Sequence, residues 1–305
     1  MTATSPLFRP YTAKQPNPWP ELAADRARCP VAHNTELDAV QVTSYAGVKE
    51  ALRNHAAFSS TYSNLWPLDA PLPEYKQVLG AADPPRHTRQ RKLLVRALSA
   101  SRVATMRPFS ETLANQLVDD ILAAGPRFDL ITDYARKISE AHVAELLGIP
   151  DEDRPSFAHM ATLIDRHTDA LVDEGLRYDG PVLGLWRRCL APAQVQDIDV
   201  AETSKLFVAV AAANHDPVQF DDPDTFRLDR HDASTHLTFG AGIHLCVGMN
   251  LARLELTTAV ATLYRRLPDL HLTAGGTEQV PGPLIRSWRH IDMEYDRTPF
   301  HPATN

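Results

Sequence analysis

A lone cysteine, Cys246, sits in the glycine-rich stretch Phe239-Gly240-Ala241-Gly242-Ile243-His244-Leu245-Cys246-Val247-Gly248. Val247, Leu251, Leu254 and Leu263 then recur at helical spacing until Pro268. The cysteine is therefore expected at a helix N-terminus, where unpaired N–H groups and the positive end of the helix dipole favour a thiolate. Gly240, Gly242 and Gly248 offer turns closed to other residues and a close approach for a flat ligand. Such a sulfur suits a soft anionic ligand for a haem iron, hydrogen-bonded by its own loop. Equally, a lone cysteine after a turn can serve as a small buried hydrophobe.

A second candidate group lies on the helix opened by Asp83-Pro84-Pro85, where Asp83 is the expected N-cap and proline the first helical residue. His87 and Arg91 are four apart and share one face, so the pair could hold a carboxylate. Arg86, Arg89, Lys92 and Arg96 crowd the same helix, and the spacing alone fits a solvated basic face as well. Glu174 and Arg177, three apart, form an ordinary helical pair unless buried.

These residues occur in the order found in the cytochrome P-450 superfamily, which the chain resembles. Phe239, Gly240, Gly242, His244, Cys246 and Gly248 match its haem-binding signature. The resemblance implies haem b with Cys246 as the iron ligand, a thiolate that donates electron density to the metal and favours O–O cleavage. His87 and Arg91 match the family's propionate contact, and Arg187, in Gly184-Leu185-Trp186-Arg187, matches another. Glu174 and Arg177 match its Glu-two-residues-Arg motif, a structural ion-pair lock whose third member is an arginine ahead of the cysteine loop. His215-Asp216-Pro217, Phe220, Pro223, Phe226 and Asp229-Arg230 resemble the segment that supplies it. Thr225 stands where many relatives carry that arginine, which leaves Arg230 as the nominee.

The elements that must position these groups follow from the pattern. Helices are expected over Glu21–Arg28, Tyr45–Arg53, from Phe109 to Gly125, from Ile131 to Leu147 and from Asp169 to Tyr178, with strands over Ala39–Thr43 and Pro181–Arg187. Leu206–Ala213 reads as a buried strand. Thr61–Gly80, with Pro67, Pro71 and Pro73, reads as a long loop of the kind that often carries function; in the resembled family this region covers the haem edge and helps choose the substrate. Pro281–Trp288 resembles a C-terminal turn near substrate. Trp19, between Pro18 and Pro20, could anchor an extended N-terminal arm. The implied fold is mainly α with a small β portion, a truncated P-450-like haem-thiolate fold in a single domain, 1–305.

The truncation is the chain's main departure from the family. Roughly 24 positions separate Pro150 from Glu174, whereas a helix crossing a fold of about 40 Å needs about 27 residues at ~1.5 Å per residue. The family places several helices there, including one with the acid–alcohol pair that delivers protons to bound oxygen. Those distal helices are missing between about residues 165 and 170. No residue takes over the catalytic role by its motif; Thr162, Asp165, His167 and Thr168 are the candidates by position. An exposed haem face would invite a second copy of the chain as cover.

Composition sets the remaining bounds. The 305 residues are 44% hydrophobic, enough for a large core. A net charge of −7 gives no reason to expect nucleic acid or a membrane as partner. Three distant cysteines, Cys29, Cys189 and Cys246, argue against a disulfide framework. The polar, proline-rich start has no apolar signal region, so a cytoplasmic protein is expected. The leading function is oxidation of a small organic molecule, as in natural-product tailoring. Electrons would come from a ferredoxin-type donor docking near Arg89, Lys92 and Arg96. The alternatives are a haem-thiolate catalyst of isomerisation, dehydration or cyclisation, and a non-catalytic haem or scaffold protein.

Overall fold

A computed structural model describes residues 18–63, 67–147, 166–267, 269–280 and 284–296. Contacts divide the chain into two compact units. The first comprises Met1–Leu94, Asp173–Val247 and Pro281–Ser287; the second, Val95–Val172, Gly248–Val280 and Trp288–Asn305.

The first unit is built on a five-stranded sheet. Helix α1 (Trp19–Arg28) leads into β1 (Val31–Asn34) and β2 (Ala39–Val42), and α2 (Tyr45–Arg53) into β3 (Phe58–Ser59). The amide of Gly47 donates to Ser44 Oγ, which caps α2. Strands β5 (Leu185–Cys189) and β8 (Lys205–Val208) complete the order β1-β2-β8-β5-β3, with β2 and β8 parallel and the other pairs antiparallel. A side hairpin, β6 (Ala193–Val195) and β7 (Ile198–Val200), joins the two.

Both faces of this sheet are covered, so alternating residues of β5 are all wanted inside. Trp186 packs with Leu22, Phe207 and Leu284 in one cluster. Leu185 and Cys189 pack in another with Leu52, Phe58, Leu206 and Phe220. Ala241, from the cysteine loop, is buried in that second cluster and fastens the loop to the sheet unit. Trp19 is not in an extended arm: it opens α1, with Pro20 in the first turn where its missing N–H costs nothing, and stacks on His215 with ring centroids 4.6 Å apart; the arm before it lies outside the described residues.

The expected strand Leu206–Ala213 divides in two. After β8 the chain turns at Ala209 and forms helix α8 (Val210–Asn214), because the alanine run prefers a helix once the ladder ends. The element expected over Pro181–Arg187 begins later: Val182 makes a single bridge to Ile285, and the strand proper is β5.

Helix α3 (Arg86–Ala97) opens where the Asp83-Pro84-Pro85 signal predicts, but Asp83 does not cap it with its side chain. Its carboxylate instead accepts from Ser59 Oγ and, at 3.2 Å, from the Ser60 amide. Only the Asp83 carbonyl serves the helix, accepting from the amide of His87 at 3.0 Å.

The second unit packs helices. They are α4 (Ala100–Ala104), α5 (Arg107–Ala124), α6 (Arg136–Leu147) and, after the cysteine loop, α9 (Met249–Arg266). Val103 and Met106 pack on Leu251 and Leu254 of α9. A wide helical turn over Leu130–Ala135 precedes α6, so the helix expected from Ile131 is regular only from Arg136. A small sheet joins β4 (Arg127–Asp129), β10 (Ser287–Glu294) and β9 (His271–Val280) in that order. Helix α7 (Arg166–Asp179) begins in this unit and ends in the first. Thr162 and Asp165 lie outside the described residues, as do the side chains of His167 and Thr168.

Candidate cofactor site

The loop that carries Cys246 is held by polar contacts made before the cysteine is reached. Leu237 donates its amide to Asn214 Oδ1 at 2.7 Å, and Thr238 Oγ1 donates to the Leu176 carbonyl at 2.6 Å. These tie the approach to α8 and α7. Phe239 lies against His236, ring centroids 5.5 Å apart, and its carbonyl accepts the Cys246 amide at 2.8 Å. Cys246 itself is exposed, three residues before α9.

Two of the three loop glycines are required by the backbone. Gly240 and Gly242 have φ of 75° and 67°, in the left-handed region that other residues avoid. A Cβ on Gly242 would also stand 2.8 Å from the Leu52 carbonyl oxygen, so the loop can lie this close to α2 only with glycine there. Gly248 has φ −86°, an ordinary value, and its expected role as a special turn is not borne out.

Basic side chains from three elements converge beside this loop. His87, from α3, is 2% exposed, and its ring lies 4.5 Å from that of His244. Arg91 shares the α3 face with His87, one turn on. Arg187, from β5, is 4% exposed and donates to the neighbouring Trp186 carbonyl at 2.7 Å. Asp83 is the cluster's carboxylate. His244 Nε2 stands 3.9 Å from Asp83 Oδ1, an ion-pair distance rather than a hydrogen bond.

Electrostatics at this cluster reflect crowded cations. Burial, then the nearby His244 and Arg91, pull the His87 pKa from 6.5 down to about 4. Burial lowers Arg187 to about 10, with Asp83 offsetting only part of the loss. Burial opposes ionisation of Asp83, but His244 and the hydrogen bonds from Ser59 and Ser60 outweigh it and hold the carboxyl below its usual range.

The cluster also holds polar atoms that nothing satisfies. Among the described residues, His55 Nδ1, Ser60 Oγ, His87 Nε2 and both ring nitrogens of His244 are buried without a hydrogen-bond partner. Such atoms are costly to leave unpaired, and several in one place suit an anionic ligand that accepts from all of them. Haem b fits: its two carboxylates match the histidine and arginine donors, and an exposed cysteine lies in the same loop as His244. His55, Ser60 and the carboxylate role of Asp83 were not apparent in the sequence, because each depends on contacts between segments distant in the chain.

A second buried charge group secures the segment before the loop. Glu174 is 0% exposed and receives Arg177 Nε at 2.6 Å and Arg230 Nε at 3.1 Å. The Arg227 amide adds a third donor at 2.9 Å. Burial opposes the charge on Glu174, yet these donors hold its carboxyl below its usual range. The arginines then reach onward. Arg177 donates to the Asn214 and Pro223 carbonyls at 2.8 Å each; Arg230 donates to those of Asp221 at 2.6 Å and Asp222 at 3.0 Å. Arg230, not a residue at position 225, completes the group.

Comparison with known proteins agrees with this geometry. A family model described as Cytochrome P450 matches residues 140–269, which contain Glu174, Arg177, Arg187, Arg230 and the cysteine loop. The chain is 28% identical to "Cytochrome P450 monooxygenase PikC" of Streptomyces venezuelae over 386 aligned positions, covering 92% of each protein. That span exceeds the 305 residues present here, so the relative carries internal residues that this chain lacks. "Mycinamicin VIII C21 methyl hydroxylase" of Micromonospora griseorubida is 27% identical, over 62% of this chain and 72% of its own. Among solved structures, Mycobacterium marinum cytochrome P450 CYP150A6 in its substrate-free form superposes with a TM-score of 0.82 at 22% identity. The match covers 92% of this chain and 96% of that one.

Proposed function

We propose that this chain, a member of the cytochrome P450 superfamily, is a haem-thiolate oxidoreductase that modifies a small organic molecule in natural-product tailoring. The observation that carries the reading is the group of orphaned buried donors around His87 and His244, in the unit that also presents Cys246.

In this reading Cys246 ligates the iron, and His87, Arg91, Arg187 and His244 hold the carboxylates. Phe239, Gly240, Gly242 and Gly248 shape the loop around the sulfur. Bound haem supplies the redox chemistry of the reaction. The chain's own part is to fix the cofactor's orientation, neutralise its carboxylates in a buried site and keep the cysteine loop rigid through Asn214 and Thr238. Arg89, Lys92 and Arg96 are exposed on α3 and offer a basic surface to an acidic electron donor of the ferredoxin type.

The hydroxylase named among the relatives supports hydroxylation as the first reaction to test. One observation favours an oxygen-independent isomerisation, dehydration or cyclisation: only residues 148–165 separate α6 from α7. That interval is too short for the family's oxygen-handling helices. A second copy of the chain covering the side they would occupy belongs to the same reading. A monodisperse monomer at micromolar concentration with a stable haem spectrum would remove that element.

The deciding experiment is the absorption spectrum of the reduced protein under carbon monoxide. A long-wavelength thiolate-type band, lost in Cys246→Ala, is expected. A band typical of histidine ligation, or no haem uptake, would overturn the assignment. Dependence of turnover on oxygen and reductant then separates the two reaction classes.

A further inference from the structure

Helix α3 presents two different faces. On one, His87 is buried and Arg91 half-buried beside the cofactor site. On the other, Arg89, Lys92, Leu93 and Arg96 follow the i, i+3, i+4, i+7 spacing of a single helix face, and all four are exposed. Leu93 is 76% exposed among these three cations, and α3 carries no carboxylate to balance them. A second surface has the inverse character. Between α8 and the cysteine loop, Val218 and Leu228 are 93% and 57% exposed, and Asp221, Asp222, Asp224 and Asp229 of the same segment are exposed with them. Arg227 lies 3.5 Å from Asp221 and 3.2 Å from Asp229, one cation against four exposed carboxylates.

We propose that two copies of this chain associate through these surfaces, the basic face of α3 on one copy docking against the acidic segment 218–229 of the other. Each surface sets apolar side chains among charges of one sign, and the two signs are opposite, which is the complementarity of an apolar contact with a charged rim. Leu93 and Val218 are both largely exposed, so the two surfaces do not cover each other within one chain; a second copy brings them together. The acidic surface is already shaped for docking. Arg230 holds the carbonyls of Asp221 and Asp222, the Thr225 amide donates to the Asp222 carbonyl at 3.2 Å, and the Arg227 amide donates to buried Glu174 at 2.9 Å. Association therefore has little backbone left to order. The α3 face is also the one offered to an electron donor, so donor and second copy compete for it; that competition rests on the function proposed above, whereas the self-contact does not.

Sedimentation velocity of the purified chain, which needs neither haem nor donor, tests the contact. The weight-average mass should rise with concentration towards about 100 μM in low salt, and the association constant should fall at least 10-fold between about 0.05 and 0.5 M salt. Two double variants each remove one surface: Lys92→Glu with Leu93→Glu, and Val218→Lys with Leu228→Lys. Each alone should be monomeric, and a 1:1 mixture should form dimers, because it holds one intact copy of each surface. The single changes Arg89→Gln and Asp222→Asn, which remove a charge and little else, should each weaken association of the otherwise unaltered chain at least 3-fold. A parent chain that stays monomeric throughout, or association that the single changes leave untouched, would overturn the proposal. So would double variants that melt with the parent and fail to associate when mixed.

Discussion

The rings of His87 and His244 lie 4.5 Å apart, tilted by 57°, and three of their four nitrogens are buried without a hydrogen-bond partner. Burial, and then the neighbouring His244 and Arg91, oppose a proton on the His87 ring. His87 therefore titrates at about 4 rather than 6.5. Between these values the unfolded chain binds the proton and the folded one does not. The stability contribution is complete above pH 6.5 and is lost as the pH falls towards 4.

For the haem-free protein, the melting temperature should drop over that window, and His87→Gln should flatten the slope. An anionic cofactor beside the ring reverses its electrostatics, so reconstitution with haem should raise the His87 titration seen by NMR. An unaltered His87 titration after haem uptake would place the carboxylates elsewhere.

Arg187 carries the opposite trade. In the protein alone it is a buried guanidinium, lowered to about 10 by burial, with its hydrogen bond spent on a neighbouring carbonyl. Uncompensated buried charge is destabilising. Arg187→Met, of similar length and apolar, should raise the melting temperature of the haem-free protein and weaken haem retention at least 10-fold. Haem transfer to apomyoglobin measures the second effect, and calorimetry the first.

Glu174 joins two arginines that each hold two or more backbone carbonyls of residues 214–225. Replacing the carboxylate strands both cations: Glu174→Ala should cost about 3–5 kcal/mol, enough to prevent cooperative folding. Arg230→Lys keeps a charge but loses the planar fork that meets Glu174, Asp221 and Asp222 together. Urea denaturation should show a loss of about 2 kcal/mol. A change within experimental error would mean that water replaces the fork.

Much of the candidate site was legible because its spacing is local. Cys246 and its glycines are neighbours in sequence, and the four-residue step from His87 to Arg91 and the three-residue step from Glu174 to Arg177 are helix-face spacings. Even there the local signal overreached at Gly248, whose backbone takes an ordinary φ. Asp83 shows why the remainder was hidden. As the first residue of a helix signal it reads as a cap, but tertiary packing turns its carboxylate to Ser59 and Ser60, more than twenty residues away. His55 carries no motif, since only the tertiary fold brings it near His87. The division of Leu206–Ala213 into strand and helix likewise follows from where the partners of β8 end, which periodicity cannot register.

Glu255 offers the remaining test, in the second unit. This residue of α9 is 5% exposed, and its Oε1 is buried without a partner. Burial raises its pKa from 4.5 to about 9, so the folded protein keeps the carboxyl neutral at pH 7. Here the folded state binds the proton more tightly. Stability should fall as pH rises from 4.5 towards 9 and level off above it, a cost on the order of 3 kcal/mol by pH 7. Glu255→Gln has the shape of the neutral acid and no charge to form. It should therefore be more stable than the parent at pH 8, equal to it near pH 4.5, and flatter between. Chemical denaturation at those two pH values measures the difference, and a variant destabilised equally at both would show that the ionised carboxylate finds a stabilising partner.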